Sequence, residues 1–176
     1  KGQIRRISAR SGLNTGGAFS PDGSRMVVTL TTSGDPELYL IDASSGSQIS
    51  RLTNSPGIDV SASWSPDGSQ LVSSGYHEVL VWNTADGTLI RRISNLAERV
   101  HDVEFSADGS RLLVAAGTPG QLGELKLFSA ADGSLLRTLV RSRDSVFAAA
   151  FSPDQTRAVC AGADRAIVVV DVGTGE

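Results

Sequence analysis

One turn is written four times in this chain. FSPDGSR stands at 19–25, WSPDGSQ at 64–70, FSADGSR at 105–111 and FSPDQTR at 151–157. The aromatics that open these stretches, Phe19, Trp64, Phe105 and Phe151, are 45, 41 and 46 residues apart, a period that belongs to arrays of stacked supersecondary units. A unit this short cannot bury a core alone, so each copy has to pack against the next.

Two further anchors fix the spacing inside each copy. Ile41-Asp42, Trp82-Asn83, Phe128-Ser129 and Val170-Asp171 close the apolar runs LYLID, VLVWN, LKLFS and IVVVD, and apolar residues recur at Ile7, Leu52, Ile93 and Leu139. From this last position to the next aromatic is always 12 residues, and from the second anchor to it always 11. The interval from aromatic to second anchor takes 22, 18, 23 and 19, so one connection absorbs every insertion. Stretches such as RLLVAAG (111–117), GELKLFS (123–129) and SLLRTLV (134–140) are short, apolar and bounded by Gly, Pro or Asp-Gly, which reads as strand rather than helix. Each copy is then four short antiparallel strands. Ser-Pro-Asp-Gly turns the first into the second: Pro fixes φ at the second place, Asp accepts the third, and Gly takes the fourth. At Gln155 the glycine is missing, and a left-handed φ there is expected to cost on the order of 1 kcal/mol. Ala-Asp-Gly at 85–87 and 131–133, and Ser-Ser-Gly at 44–46, turn the third strand into the fourth.

Composition narrows the partners. Of 16 basic residues 14 are arginine, but the net charge is -3, so neither nucleic acid nor a membrane surface is favoured. No run of about 18 apolar residues exists for a spanning helix, and the opening KGQIRRISARSG shows no signal peptide; the compartment stays open. The single Cys160 excludes an internal disulfide and a cysteine-rich metal site.

These residues resemble two β-propeller families. TLIRRISNLAERVHDVEFSADGSRLLVAAG and FSPDQTRAVCAGADRAIVVVDVGTG are similar to WD-repeat blades, with Trp82-Asn83 and Val170-Asp171 where the Trp-Asp pair would fall. PELYLIDASSGSQISRLTNSPGIDVSASWSPDGSQL is similar to a TolB-type blade, in which Leu52-Thr53 and Asp59 precede Trp-Ser-Pro-Asp-Gly. The Gly-His pair of a WD blade is absent, since residues 95–99 read NLAER and 140–144 read VRSRD. The resemblance therefore implies an all-β propeller without the family's buried histidine network, held mainly by apolar packing. The expected single propeller unit, 1–176, divides into a strand at 1–12 that closes the last blade, complete blades at 13–53, 58–94 and 100–140, and a last blade at 146–176 without its outer strand. Two chains exchanging terminal strands would form a homodimer with an eight-bladed ring; four blades closing on themselves, or a piece of a longer propeller, is the alternative.

Strand polarity puts the uniform turns on one face and the variable connections on the other. That second face carries residues 31–36, Tyr76-His77-Glu78, residues 118–121, Glu98-Arg99, Arg141 to Asp144, Phe147 and Asp164-Arg165. Aromatic and arginine anchors suit a binding patch, so Tyr76, His77, Glu78, Arg99, Arg143, Asp144 and Phe147 are the candidate contacts for a protein or peptide partner. No catalytic signature accompanies His77 or His101, and no cofactor motif occurs, because the glycine-rich stretch at 117–123 is followed by a strand rather than a helix. A non-enzymatic interaction scaffold is expected. The alternatives are a metal-assisted hydrolase with His101, Asp102 and Glu104, and Asp59 beside them, at the channel, or a purely oligomerising or engineered propeller fragment.

Overall fold

The computed structural model describes residue 12 and residues 14–31, 35–53 and 61–176. These hold fifteen strands in four antiparallel sheets and no helix. The first sheet takes β1 (Asn14–Phe19), β2 (Arg25–Leu30), β3 (Glu37–Asp42) and β4 (Gln48–Arg51). The second takes β5 (Ala62–Trp64), β6 (Gln70–Ser74), β7 (Val79–Asn83) and β8 (Leu89–Ile93). The third takes β9 (Arg99–Phe105), β10 (Arg111–Thr118), β11 (Leu122–Ser129) and β12 (Leu135–Ser142). The fourth has three, β13 (Val146–Phe151), β14 (Arg157–Gly162) and β15 (Ile167–Asp171). Strand order follows chain order in every sheet, and β1, β5, β9 and β13 lie beside one another, so these are four blades of a propeller with their first strands innermost. The terminal strand expected within 1–12, with Ile7, lies outside the described residues.

The repeated turn forms through the expected groups. Ser20 O accepts from Gly23 N at 2.8 Å, and Ser65, Ser106 and Ser152 do the same for Gly68, Gly109 and Gln155. Gly23, Gly68 and Gly109 have φ near +70°, and Gln155 is held at +61°. Two bonds offset that strain: Gln155 Nε2 donates to Ser152 O, and its Oε1 accepts from Ala107 N on the turn of blade three, both at 3.0 Å. The turn aspartates accept from the hydroxyls on either side, as when Ser20 Oγ and Ser24 Oγ donate to Asp22 at 2.6 and 2.8 Å. These bonds lower the carboxyls of Asp22, Asp67 and Asp154 to about 2. The turns therefore contribute stability above the ordinary aspartate range near 3.8, lost as the pH falls towards 2.

Successive blades are fastened twice. Their facing sides form apolar clusters, each running from one blade into the next, in which Leu71, Leu112, Leu113 and Leu125 are fully buried, each such side chain contributing roughly 1.5–3 kcal/mol. Arginine guanidinium groups then cross to main-chain carbonyls of the next blade: Arg25 to Thr84 O at 2.7 Å, Arg91 to Ala130 O at 3.0 Å and Arg137 to Thr174 O at 2.7 Å.

Polar ties add to the expected apolar packing. Trp82 Nε1 donates to buried Ser73 Oγ at 2.9 Å, so a tryptophan–serine bond persists in blade two without a histidine. A glutamate also stands four residues before the second anchor in three blades, at or next to the third strand. Buried Glu37 accepts from Arg51 at 2.7 Å and from Thr53 Oγ1, Glu78 pairs with Arg92 at 2.5 Å, and buried Glu124 pairs with Lys126 at 2.8 Å. Glu124 also accepts from Ala97 N, and Lys126 donates to Asn95 O at 2.6 Å, which ties the crossover from blade two to blade three onto β11.

Candidate functional site

The variable-loop face is assembled at two neighbouring junctions. At the first, the hairpin between β6 and β7 is stapled to the crossover that leads into β9. His77, at φ +61°, donates its backbone N–H to Glu98 O at 3.1 Å, and its Nδ1 lies 3.2 Å from Leu96 O. Tyr76 stands edge-on to the His77 ring, 4.3 Å between centroids, and its backbone forms an isolated bridge with Arg99. The Tyr76 ring and the Arg99 side chain are exposed. The structure thus brings Tyr76, His77 and Arg99 together, whereas Glu78 is turned to Arg92 and occupies the same register as Glu37 and Glu124.

At the second junction the crossover at 142–146 lies in a saddle of three glycines. Gly117 faces Ser145 Cα, Gly123 faces Asp144 O, and Gly162 faces Ser145 O. Asp144 Oδ1 accepts from Gly120 N at 2.9 Å and from Ser145 N at 2.8 Å, bonds that lower its carboxyl. Ser142 Oγ donates to Asp164 at 2.6 Å, which joins the crossover to the hairpin between β14 and β15 and lowers Asp164. Arg141, Arg143 and Arg165 flank that bond with exposed side chains. Asp144 therefore shapes the loop, and Arg143 beside it is exposed.

His101, Asp102 and Glu104 share β9 but serve packing. His101 sits at a bulge in the β9–β10 register, edge-on to half-exposed Phe147 at 5.0 Å, and burial, with Arg99 nearby, lowers its pKa. Asp102 accepts from Ala149 N at 3.0 Å and Glu104 from Phe151 N at 3.2 Å, so both carboxylates hold the first strand of the next blade. Burial raises Glu104, with Asp102 beside it adding a smaller upward push. Among the described residues no group of three His, Cys, Asp or Glu converges as a cation site. Asp59 lies outside the described residues, as do 32–34 of the first variable loop.

Two clefts among the described residues open on the other face, outside the sequence expectation. One of about 440 Å³ runs between the turns of blades one and two, lined by Pro21, Asp22, Arg25, Trp64, Pro66 and Thr84. Another of about 310 Å³ lies between blades two and three, with Asp67, Gln70, Phe105 and Asp108 on its walls. Asp22, Asp67 and Asp108 are committed to their own turns, and Arg25 to Thr84 O, which leaves these clefts few unengaged polar groups.

A TolB beta propeller domain model matches residues 1–127, more than half of the chain. The chain belongs to the TolB β-propeller family. In this TolB-type propeller a WD domain, G-beta repeat model matches 133–171, so the change of type falls late in blade three. No curated protein matches the chain. Both families are in general non-enzymatic scaffolds, and propellers of the WD type commonly engage proteins. No helix among the described residues is long and apolar enough to cross a membrane.

Proposed function

We propose that this protein is a non-enzymatic platform that holds an acidic segment of a protein partner on the variable-loop rim of blades three and four. The observation that carries this reading is a contrast among its arginines. Arg25, Arg91 and Arg137 are tied to carbonyls, Arg51 and Arg92 to glutamates, and Arg111 lies over the Phe151 ring at 5.6 Å. The guanidinium groups of Arg99, Arg141, Arg143 and Arg165 are exposed and make no hydrogen bond or ion pair with any described residue, as is also the case for Arg157 at the turn end of β14, while Glu78, Asp144 and Asp164 on the same rim are internally bonded. The rim thus presents four guanidinium groups outside any ion pair with a described residue beside Tyr76 and Phe147, with the carboxylates of Glu98, Asp144 and Asp164 interspersed, on a chain whose net charge is -3. Such complementarity steers association and fixes register. A fluorescent ten-residue Asp/Glu peptide containing one Tyr is expected to bind, and Arg99→Glu with Arg143→Glu to weaken it roughly tenfold or more. Equal binding of a Lys-substituted peptide, or no response to the double charge reversal, would overturn the reading.

We further propose that two copies complete one eight-bladed ring, the reading supported by an apolar side of blade four that no described residue covers, where Ile167 is 77% exposed. Light scattering of the 176-residue chain is expected to give twice its 18.3 kDa. A mass of one chain across the accessible concentration range would sink it.

A further inference from the structure

The three junctions inside the chain share one register. In each, four aliphatics from the second, third and fourth region of one blade are covered by the next, with the aromatic that ends its first strand in the contact. Val27, Leu38, Leu40 and Leu52 cluster with Trp64. Val72, Val79, Val81 and Ile93 cluster with Phe105, and Leu113, Leu125, Leu127 and Leu139 with Phe151. All twelve aliphatics are buried.

In blade four the same register falls on Val159, Ile167 and Val169, which are 38%, 77% and 57% exposed. An apolar hollow of about 170 Å³ opens beside them, walled by Ala148, Ala149, Ala150, Val159, Cys160 and Ala161. Ala150 holds the place that Ala18 has in blade one, and Ala18 O is where the Trp64 Nε1–H is received, at 3.0 Å. The hollow is therefore the place at which the aromatic of a following blade is seated. One aromatic of the four has no seat among the described residues: Trp64 and Phe105 are buried and Phe151 is half-buried, but Phe19 is 66% exposed.

We infer that Phe19 of a second copy seats in this hollow and that the second copy's first blade covers Val159, Ile167 and Val169. The inference rests on the two-copy reading and names the surfaces that meet. The knob and the socket belong to different blades of one chain, so the contact is heterologous, and two such contacts related by a two-fold axis close a pair.

The test compares molar masses of wild type, Ile167→Arg and Phe19→Ala over a concentration series, with circular dichroism to confirm the sheet content. Both side chains are in solvent in the single chain, so both variants are expected to keep the fold. Ile167→Arg is expected at 18.3 kDa throughout. Phe19→Ala is expected to need at least tenfold higher concentration to reach the double mass. Phe19→Cys with Ala150→Cys is expected to give a disulfide-linked pair on oxidation. A double-mass wild type unmoved by both single substitutions would overturn this contact and leave the two-copy reading standing, whereas a wild type of single-chain mass would overturn both.

Discussion

Gly123→Ala is expected to destabilise the protein by about 3 kcal/mol, lowering the melting temperature by roughly 6–12 °C. A Cβ at Gly123 would lie 1.9 Å from Asp144 O and 3.1 Å from Ser142 Cβ. The first clash is with backbone, so no rotamer relieves it. The crossover cannot retreat easily either, because Gly117 and Gly162 press on Ser145 from other strands, at 2.3 Å from each site's added Cβ, and Asp144 is bonded to Gly120 N. Gly120→Ala is the control: nothing lies within 4 Å of its Cβ, so it reports only the strain of φ +66°, about 1 kcal/mol. Thermal melts that place the two variants together would show that the crossover is not pressed into the saddle.

Lys126→Met is expected to cost about 3–5 kcal/mol, because it leaves Glu124 charged, buried and facing only the Ala97 N–H. It also frees Asn95 O, the residue at which the crossover turns with φ +64°. Replacing both members, Glu124→Leu with Lys126→Met, removes the unpaired charge but also the anchor on Ala97 N. The double variant is expected to be less damaged than Lys126→Met alone by about 2 kcal/mol. Urea denaturation of the two single variants and the double variant measures this coupling. Additive losses would mean that the two side chains act independently.

The spacing of Phe19, Trp64, Phe105 and Phe151 made the blades legible, since strands and turns obey local rules that a period of this kind exposes. The turn chemistry was equally readable, down to the left-handed Gln155, because φ preference belongs to single residues. What each loop does with its charges was not readable. Glu78 lies beside Tyr76 and His77 in sequence, but its partner Arg92 is on the adjacent strand. Asp102 and Glu104 alternate with apolar residues as channel ligands would, yet they receive N–H groups from a strand 47 residues away. The repeated glutamate at 37, 78 and 124 carried a signal in the alignment of the copies, and the register of the third strand would have found it. The Phe147–His101 contact and the glycine saddle depend on close approach between segments, for which the sequence has no local marker.

The arginine ties between blades have a consequence for how such a chain can diverge. Arg25, Arg91 and Arg137 each end on a carbonyl oxygen, of Thr84, Ala130 and Thr174. Every amino acid carries that acceptor, so the receiving position is free to drift while the tie persists. A blade can thus change its side chains, and even its family type, without asking its neighbour for a matching substitution. Mosaic propellers, in which blades of separate ancestry share one ring, become accessible by single steps.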